Sequence, residues 1–584
     1  MPKLRPIVDT FSRTVLLGAL VIAITLLLWS TKYAGLSDGR AMDIASVARN
    51  LAGGRGYVTD SFTPLSLHFV PRTTNHPELG IMPVYPLLLS LLFRVCPATD
   101  AVVASLSVAF FFASMVGLYF LALKWFDYPI AVTTLLVTAM HFLVLEQAAQ
   151  GLETSFVVCL TLLLFYVLAS DLRRSTPSDN SLAPPSLMRP CIFTALLVGI
   201  AVLTRFEMLS YAPVVWAYWF WRARSRDDTS VDKKTRAALS WRLTAWYWAI
   251  FLLVLAPWVI RCTVIARHPM LTLRGYEIIM ATGEWPGQSL YRSFTAIPSY
   301  PTIAALVSPR TMVGKLHRAV RFTYRTLPGI GNPYVLAIFI GGFLMSTRLW
   351  RDAQIRFWLV LVLAAQILFM CLFVPFGETI TPLVPFIVMF AAATLAKAVR
   401  NAAEGSRRVR RNSGLLEGLA LGILVLIVAY PLADLLFVQP SPGTSLIPPI
   451  ATQASVGSRL VASDIPQAIA WYAKRPAMLF AHHPNDYYNL RQAGVAPDTV
   501  YLSPFLMRYP PEELVSVWQN EIVRPTTFVG YVPDKTWRGP GARWRWKGGA
   551  ATGEAPATEP GGAAPPAAAV PEEGGHELTG PGAP

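Results

Sequence analysis

The sequence predicts an all-α polytopic membrane protein of about eleven transmembrane helices, followed by a small exterior α/β domain. Three observations carry this. Only 14% of residues are charged and 54% are hydrophobic, where a soluble chain of this size carries about 25% charge. Apolar runs recur at lengths of about 17–25 residues, which suits a hydrocarbon core about 30 Å thick. Lys and Arg cluster in short segments between those runs.

The runs are 14–30, 102–123, 129–147, 154–170, 190–204, 207–222, 243–262, 332–347, 357–374, 380–396 and 415–437. A further run, 83–95, is expected to re-enter or lie at the interface rather than cross. No small-residue cleavage site follows the first run, so it is expected to stay as an anchor. Arg173 and Arg174, the cluster from Arg222 to Arg236, Arg348 to Arg356, and Lys397 to Arg411 all fall on the side of Lys3, Arg5 and Arg13. That side is expected to be cytoplasmic, and an odd number of spans puts the C-terminus outside.

Three segments then face the exterior: residues 31–82, 263–331 and 438 onward. The long loop 263–331 carries Arg267, Arg274, Arg292, Arg310, Lys315, Arg318, Arg321 and Arg325 against Glu277 and Glu284. Long loops are exempt from the positive-inside bias, so this basic surface either contacts water and headgroups or walls a phosphorylated lipid. The chain divides into a membrane module (1–437), a small exterior α/β domain (438–546) and a Gly/Ala/Pro-rich tail (547–584) with almost no core formers, expected to be disordered. Within the α/β segment, 459–464, 476–480 and 499–502 read as strands and 465–472 as a helix.

The net charge of +16 is explained by the loops of a membrane protein, so no nucleic-acid partner is expected. The five cysteines, Cys96, Cys159, Cys191, Cys262 and Cys371, lie in or beside apolar runs. They show no CxxC or metal spacing, which argues against a disulfide framework or a zinc site.

Chemistry-bearing residues gather on the exterior side. Asp38 and Asp43 follow the first span, in a segment where Ile44, Val47, Ala48 and Leu51 share one helical face. Gly53-Gly54-Arg55-Gly56 ends that helix. Asn75-His76-Pro77-Glu78-Leu79 precedes the re-entrant run. Gln150-Gly151-Leu152-Glu153-Thr154 puts Glu153 at the outer end of one span. Thr204-Arg205-Phe206-Glu207 forms an outer turn between two others.

In this order, the motifs resemble those of GT-C fold membrane glycosyltransferases, the group that includes aminoarabinose transferases and protein O-mannosyltransferases. The matching stretches are Ala48 to Tyr57, His76 to Leu89, Gly151 to Thr154 and Gly199 to Arg205. They cover about residues 1–400. The resemblance implies transfer of a sugar from a polyprenyl-phosphate donor to an acceptor hydroxyl at the outer membrane face. A first-loop Asp would be the base. The family position falls at Arg40, flanked by Asp38 and Asp43; Asp38, which precedes the helix as the family residue does, is the first choice, and Asp43, at the second Asp of the family's D-x-x-D-Y variants, the second. Glu153 corresponds to a second exterior acid.

Arg205, with His76, Arg40 and Arg274, would face the donor phosphate. Aminoarabinose transferases carry Glu-Lys-Pro at the re-entry, where the Glu helps hold a metal; Asn75-His76-Pro77 stands here, so no metal ligand is assigned and a divalent metal stays open. Implied partners are the polyprenyl-phosphate sugar, membrane lipids and a glycan, lipid or protein acceptor. Composition points to a bacterial inner membrane. The alternative is a transporter or lipid flippase, for which paired internal repeats are the expected mark. No convincing repeat is visible.

Overall fold

The structure is a computed structural model of the 584-residue chain. It describes residues 35–174, 187–225, 233–295, 307–344, 353–373, 377–404, 412–437, 442–508 and 523–547, together with parts of 16–27 and a few isolated positions. The tail expected to be disordered lies, beyond residue 547, outside the described residues, as do Lys3, Arg5, Arg13 and the basic segment 405–411.

Six helices among the described residues are long and apolar enough to cross a membrane: Asp100–Trp125, Thr154–Leu172, Lys234–Ala266, Gln354–Leu372, Thr379–Glu404 and Ser413–Tyr430. The run 129–147 forms two helices, Tyr128–Ala139 and Phe142–Ala149, bent by 55° and counting as one further crossing if taken together. The expected spans 190–204 and 332–347 contain the shorter apolar helices Met188–Thr204 and Pro333–Gly342, while 207–222 forms a 3-10 turn, Phe206–Ser210, and the 14-residue helix Tyr211–Arg224. Helix Val84–Phe93 has 10 residues. It is about 15 Å long and cannot cross a core of about 30 Å. The segment 379–404 runs through the middle of the bundle. Every residue from Val384 to Ala393 is buried, and alanines at 391–393 and 396 let neighbouring backbones approach closely.

Charged side chains at helix ends collect in two sets. At one end Arg400 pairs with Asp127 and Glu417 at 2.5 and 2.6 Å, and Arg222 with Asp171 at 2.8 Å. At the other end lie Arg40, Glu153, Arg205, Glu207 and Arg274. The grouping agrees with the loops that the apolar runs assign to opposite sides.

The strands within residues 31–82 were not legible in the sequence. β1 (Val58–Thr59) pairs antiparallel with β3 (His76–Pro77). β2 (Ser61–Phe62) joins a six-stranded sheet with β4 (Val461–Ser463), β5 (Ala477–Leu479), β6 (Thr499–Leu502), β7 (Tyr531–Pro533) and β8 (Ala542–Trp546). The order is β2-β5-β4-β6-β8-β7. β2, β5, β4 and β6 run parallel, while β8 is antiparallel to both β6 and β7. The C-terminal segment therefore takes its edge strand from the segment between residues 31 and 82, and residues 1–546 form one compact unit.

Its apolar core also draws on both parts. Phe62, Leu67 and Phe294 pack with Met478, Phe480, Trp518 and Trp544. Ala41, Ile44, Ala45 and Ala48 pack with Ile450, Val461, Ile469 and Trp471. Arg49 fastens the second contact. Its guanidinium donates to the carbonyls of Ala470 and Trp471 at 2.8 and 2.9 Å and lies 4.8 Å from the centre of the Trp471 ring. Arg49→Met is expected to destabilise this junction by about 1–3 kcal/mol, from two charge-assisted hydrogen bonds and a cation–π contact. Limited proteolysis should then cleave the segment beyond residue 442 faster; an unchanged rate would contradict the assignment.

Candidate active site

Helix Gly39–Ala52 organises the site. Asp38 caps it: the residue is extended (φ −84°, ψ 125°) and its Oδ1 accepts from the Ala41 N–H at 3.1 Å. Such a cap satisfies one of the orphan amides at a helix start. Burial raises the Asp38 carboxyl, while the capped amide and the Arg40 charge pull it down. One face of the helix, with Ala41, Ile44, Ala45 and Ala48, is buried in the core. Arg40 and Asp43, three residues apart, share the other face.

That face opens on a cavity of about 190 Å³, far above the ~10–15 Å³ that holds one water. Arg40 and Arg274 line it, with Asp43, His76 and Glu78. Thr59, Ser61, Thr63, Ser66, Tyr291 and Gln467 supply further polar groups. Asp38 and Arg205 are not among its walls.

Asp43 Oδ1 is buried and takes no hydrogen bond among the described residues. Burial pushes its carboxyl well above the usual carboxylate range, and the nearby Glu78 charge pushes the same way; Ser61 and Gln467, beside it, favour the ionised form. Glu78 is held by the amides of Gly80 and Ile81 at 2.5 and 2.8 Å. Burial raises Glu78 too, against those amides and the Arg261 charge. His76 is fully buried, which brings its imidazole down to about 4. Its Nδ1 is 2.9 Å from the Arg72 carbonyl. A carbonyl only accepts, so Nδ1 carries the proton and Nε2 is an acceptor. Nε2 has no partner among the described residues. An acceptor nitrogen suits a substrate hydroxyl and not the phosphate contact expected from the sequence.

Beside the cavity stands a buried relay of alternating charge. Arg40 reaches Glu153 at 2.6 Å. Arg205 lies 3.9 Å from Glu153 and 3.4 Å from Glu207. Arg274 bonds Glu207 and Glu277 at 2.8 Å each, and Tyr291 donates to Glu277 at 2.8 Å. Three arginines face three glutamates, so the relay is balanced before any ligand arrives. Arg205, 3% exposed, donates to Thr154 Oγ1 at 3.2 Å and sits inside the relay, away from the cavity. Arg274 keeps one donor, Nη1, buried and without a hydrogen bond among the described residues.

Gly151 explains how Glu153 arrives there. It turns the chain with φ +78°, and a Cβ on it would stand 2.7 Å from Val103 Cγ1 and 3.2 Å from backbone. Only glycine fits both demands, and helix Thr154–Arg174 can then start directly after the acid.

Among the described residues no three His, Cys, Asp or Glu side chains come together as a metal-binding group. The Asp43, His76 and Glu78 set does not fit a preformed metal site, and no step below is routed through a metal.

No protein-family model and no curated protein sequence matches this chain. Solved structures do. The oligosaccharyltransferase of Archaeoglobus fulgidus in the apo form aligns over 84% of this chain and 69% of its own, with TM-score 0.53 at 12% identity. ArnT from Cupriavidus metallidurans, bound to undecaprenyl phosphate, aligns over 90% of this chain and 97% of its own, with TM-score 0.51 at 12% identity. The chain has the GT-C fold. Within that fold the stretches Ala48–Tyr57, His76–Leu89, Gly151–Thr154 and Gly199–Arg205 touch one another: Tyr57 donates to the Ile81 and Met82 carbonyls, Tyr85 to the Gly151 carbonyl, and Arg205 to Thr154 Oγ1.

Several residues that line the cavity escaped the sequence reading. Glu78 stood inside a quoted motif, and its carboxylate beside a proline was a signal that could have been followed. Tyr291 and Gln467 carried none: they reach the cavity only through the long loop and the C-terminal segment.

Proposed function

We propose that this chain transfers a sugar from a polyprenyl-phosphate carrier to an acceptor hydroxyl, with Asp43 as the general base. One observation carries the reading: a carboxylate with an unpaired oxygen and two arginines line a single hydroxyl-rich cavity. Solved neighbours bound to undecaprenyl phosphate and to dolichol-phosphate support the class of donor.

The acceptor oxygen forms a bond to the anomeric carbon as the bond from that carbon to the phosphate oxygen breaks. The bonding pair leaves with the polyprenyl phosphate, and the acceptor proton passes to an Asp43 carboxylate oxygen. A raised pKa makes Asp43 a stronger base than an ordinary carboxylate. Arg274 Nη1 and Arg40 meet the charge gained by the leaving phosphate. Their glutamate partners hold both guanidiniums in place beforehand. His76 Nε2, Ser61, Thr63 and Gln467 are placed to accept from and donate to sugar hydroxyls. Asp38 keeps the helix start, and with it Arg40, in position. The exterior α/β segment, through Pro466 and Gln467, is part of the site and not an appended module. The membrane module is read as eleven spans in a bacterial inner membrane with the cavity outside.

The test uses purified full-length protein in nanodiscs with a radiolabelled polyprenyl-phosphate sugar and a set of glycan, lipid and peptide acceptors. Label is expected to move to one acceptor class, and mass spectrometry of co-purified lipid should find a polyprenyl phosphate. Flux of the intact lipid across a bilayer, with no transfer product, would instead favour a flippase.

A further inference from the structure

Helix Pro309–Gly331 carries Arg310, Lys315, Arg318, Arg321 and Arg325 and no acidic residue. Lys315 is 1% exposed and donates to the carbonyls of Glu277 and Ile278 at 2.7 and 2.9 Å. This fixes the helix beside the relay, on the cavity's side of the bundle. Ala319 and Thr323 are buried on the same face, with Thr323 Oγ1 3.8 Å from Cys371 Sγ near the end of a spanning helix. The opposite faces are uncovered. Val313, Val320 and Tyr324 are 67%, 52% and 80% exposed, and at 100° per residue they fall within a stripe about 40° wide. Arg310, Arg321, Arg325 and Arg318 are exposed as well and occupy the next ~80° of the helix surface. After Asn332, whose positive φ of 60° breaks the helix, the apolar helix Pro333–Leu344 begins at once.

An apolar stripe beside a row of arginines, ending where an apolar membrane helix starts, matches one environment: the boundary between acyl chains and headgroups. We propose that helix 309–331 is an anionic-phospholipid binding surface lying in the membrane interface on the cavity's side. Val313, Val320 and Tyr324 enter the acyl region, and Arg310, Arg318, Arg321 and Arg325 bind headgroup phosphates. Five cations with no carboxylate on the helix set the sign of the lipid. The surface does not depend on sugar transfer, since none of these side chains lines the cavity.

The full-length protein would be placed in nanodiscs of phosphatidylcholine with or without phosphatidylglycerol. Hydrogen exchange would be followed over residues 310–325, and retained lipid counted by native mass spectrometry. The expected result is slower exchange with phosphatidylglycerol present and enrichment of that lipid. High salt should weaken the enrichment, since charge pairs at a surface are screened. Arg310→Gln with Arg321→Gln and Arg325→Gln should lower the preference about 10²-fold, each arginine near an anionic surface counting for about fivefold. Equal exchange in the two lipids, a salt-independent preference, or an unchanged ratio in the triple variant would overturn the proposal. Because the unmodified protein supplies the salt arm, a variant that folds poorly leaves the test intact. Neither readout involves a transfer product, so failure here is separable from failure of the catalytic reading.

Discussion

Asp43→Asn is expected to lower the rate of sugar transfer by about 10²–10⁴-fold with little change in apparent donor affinity, the range typical of a lost positioned base. Asp38→Asn should keep most of the activity, because Asn caps a helix about as well as Asp. Asp38→Ala should cost about 1 kcal/mol of stability through the lost cap. The pair separates two carboxylates five residues apart, of which the sequence resemblance favoured Asp38. If Asp38→Asn is the inactive variant and Asp43→Asn the active one, the roles are reversed. The pH profile gives an independent check. Asp43 must lose its proton to act, and burial with the Glu78 charge raises its pKa. Activity should therefore fall as pH falls, through a limb above the usual carboxylate range. Glu78→Gln, by removing one of the raising charges, should move that limb to lower pH.

Arg274→Met should be the most damaging single change for stability. The guanidinium bonds Glu207 and Glu277 at 2.8 Å each, both of them buried. Removing one partner of a buried ion pair costs about 3–5 kcal/mol, because the remaining charge is left without compensation. Here two carboxylates lose it at once. Thermal unfolding in detergent reads the loss. Adding Glu207→Gln to Arg274→Met should recover part of the stability and none of the transfer activity, since the spare Nη1 that meets the phosphate stays absent. Recovery of both would mean that Arg274 serves the relay alone.

Most of the membrane helices were legible because each is a long apolar run, and runs need no knowledge of their partners. Helix 39–52 was legible as well: the spacing of Ile44, Val47 and Ala48 gave its buried face, and Gly53-Gly54 its end. The cap at Asp38 was readable in principle, since an Asp directly before a helix start is the strongest capping signal. Weighing it against the shared face of Arg40 and Asp43 would have favoured Asp43 for the cavity. The strands β1, β2 and β3 left no trace, because two-residue strands carry no alternation to detect. Arg205 pointed to the phosphate from its motif, yet it lies among Glu153, Glu207 and Thr154. Sequence spacing placed it at a helix end and left the direction of its side chain open. Helix 309–331 was hidden inside a basic loop, where charge drew attention and the apolar stripe did not.

The pairing of β2 with β5 has a consequence for how the molecule is made. Ser61 and Ala477 are separated by about 400 residues, and at about 5–20 residues per second a ribosome needs roughly 20–80 s to pass from one to the other. During that interval the first loop has already been synthesised, while the strand that completes its edge, and the Gln467 that closes the cavity, do not yet exist. The nascent chain thus holds Arg40 and Asp43 with no finished cavity around them. The cavity is complete only after translation has passed Gln467, and under the proposed mechanism a chain truncated before that residue is expected to be inactive.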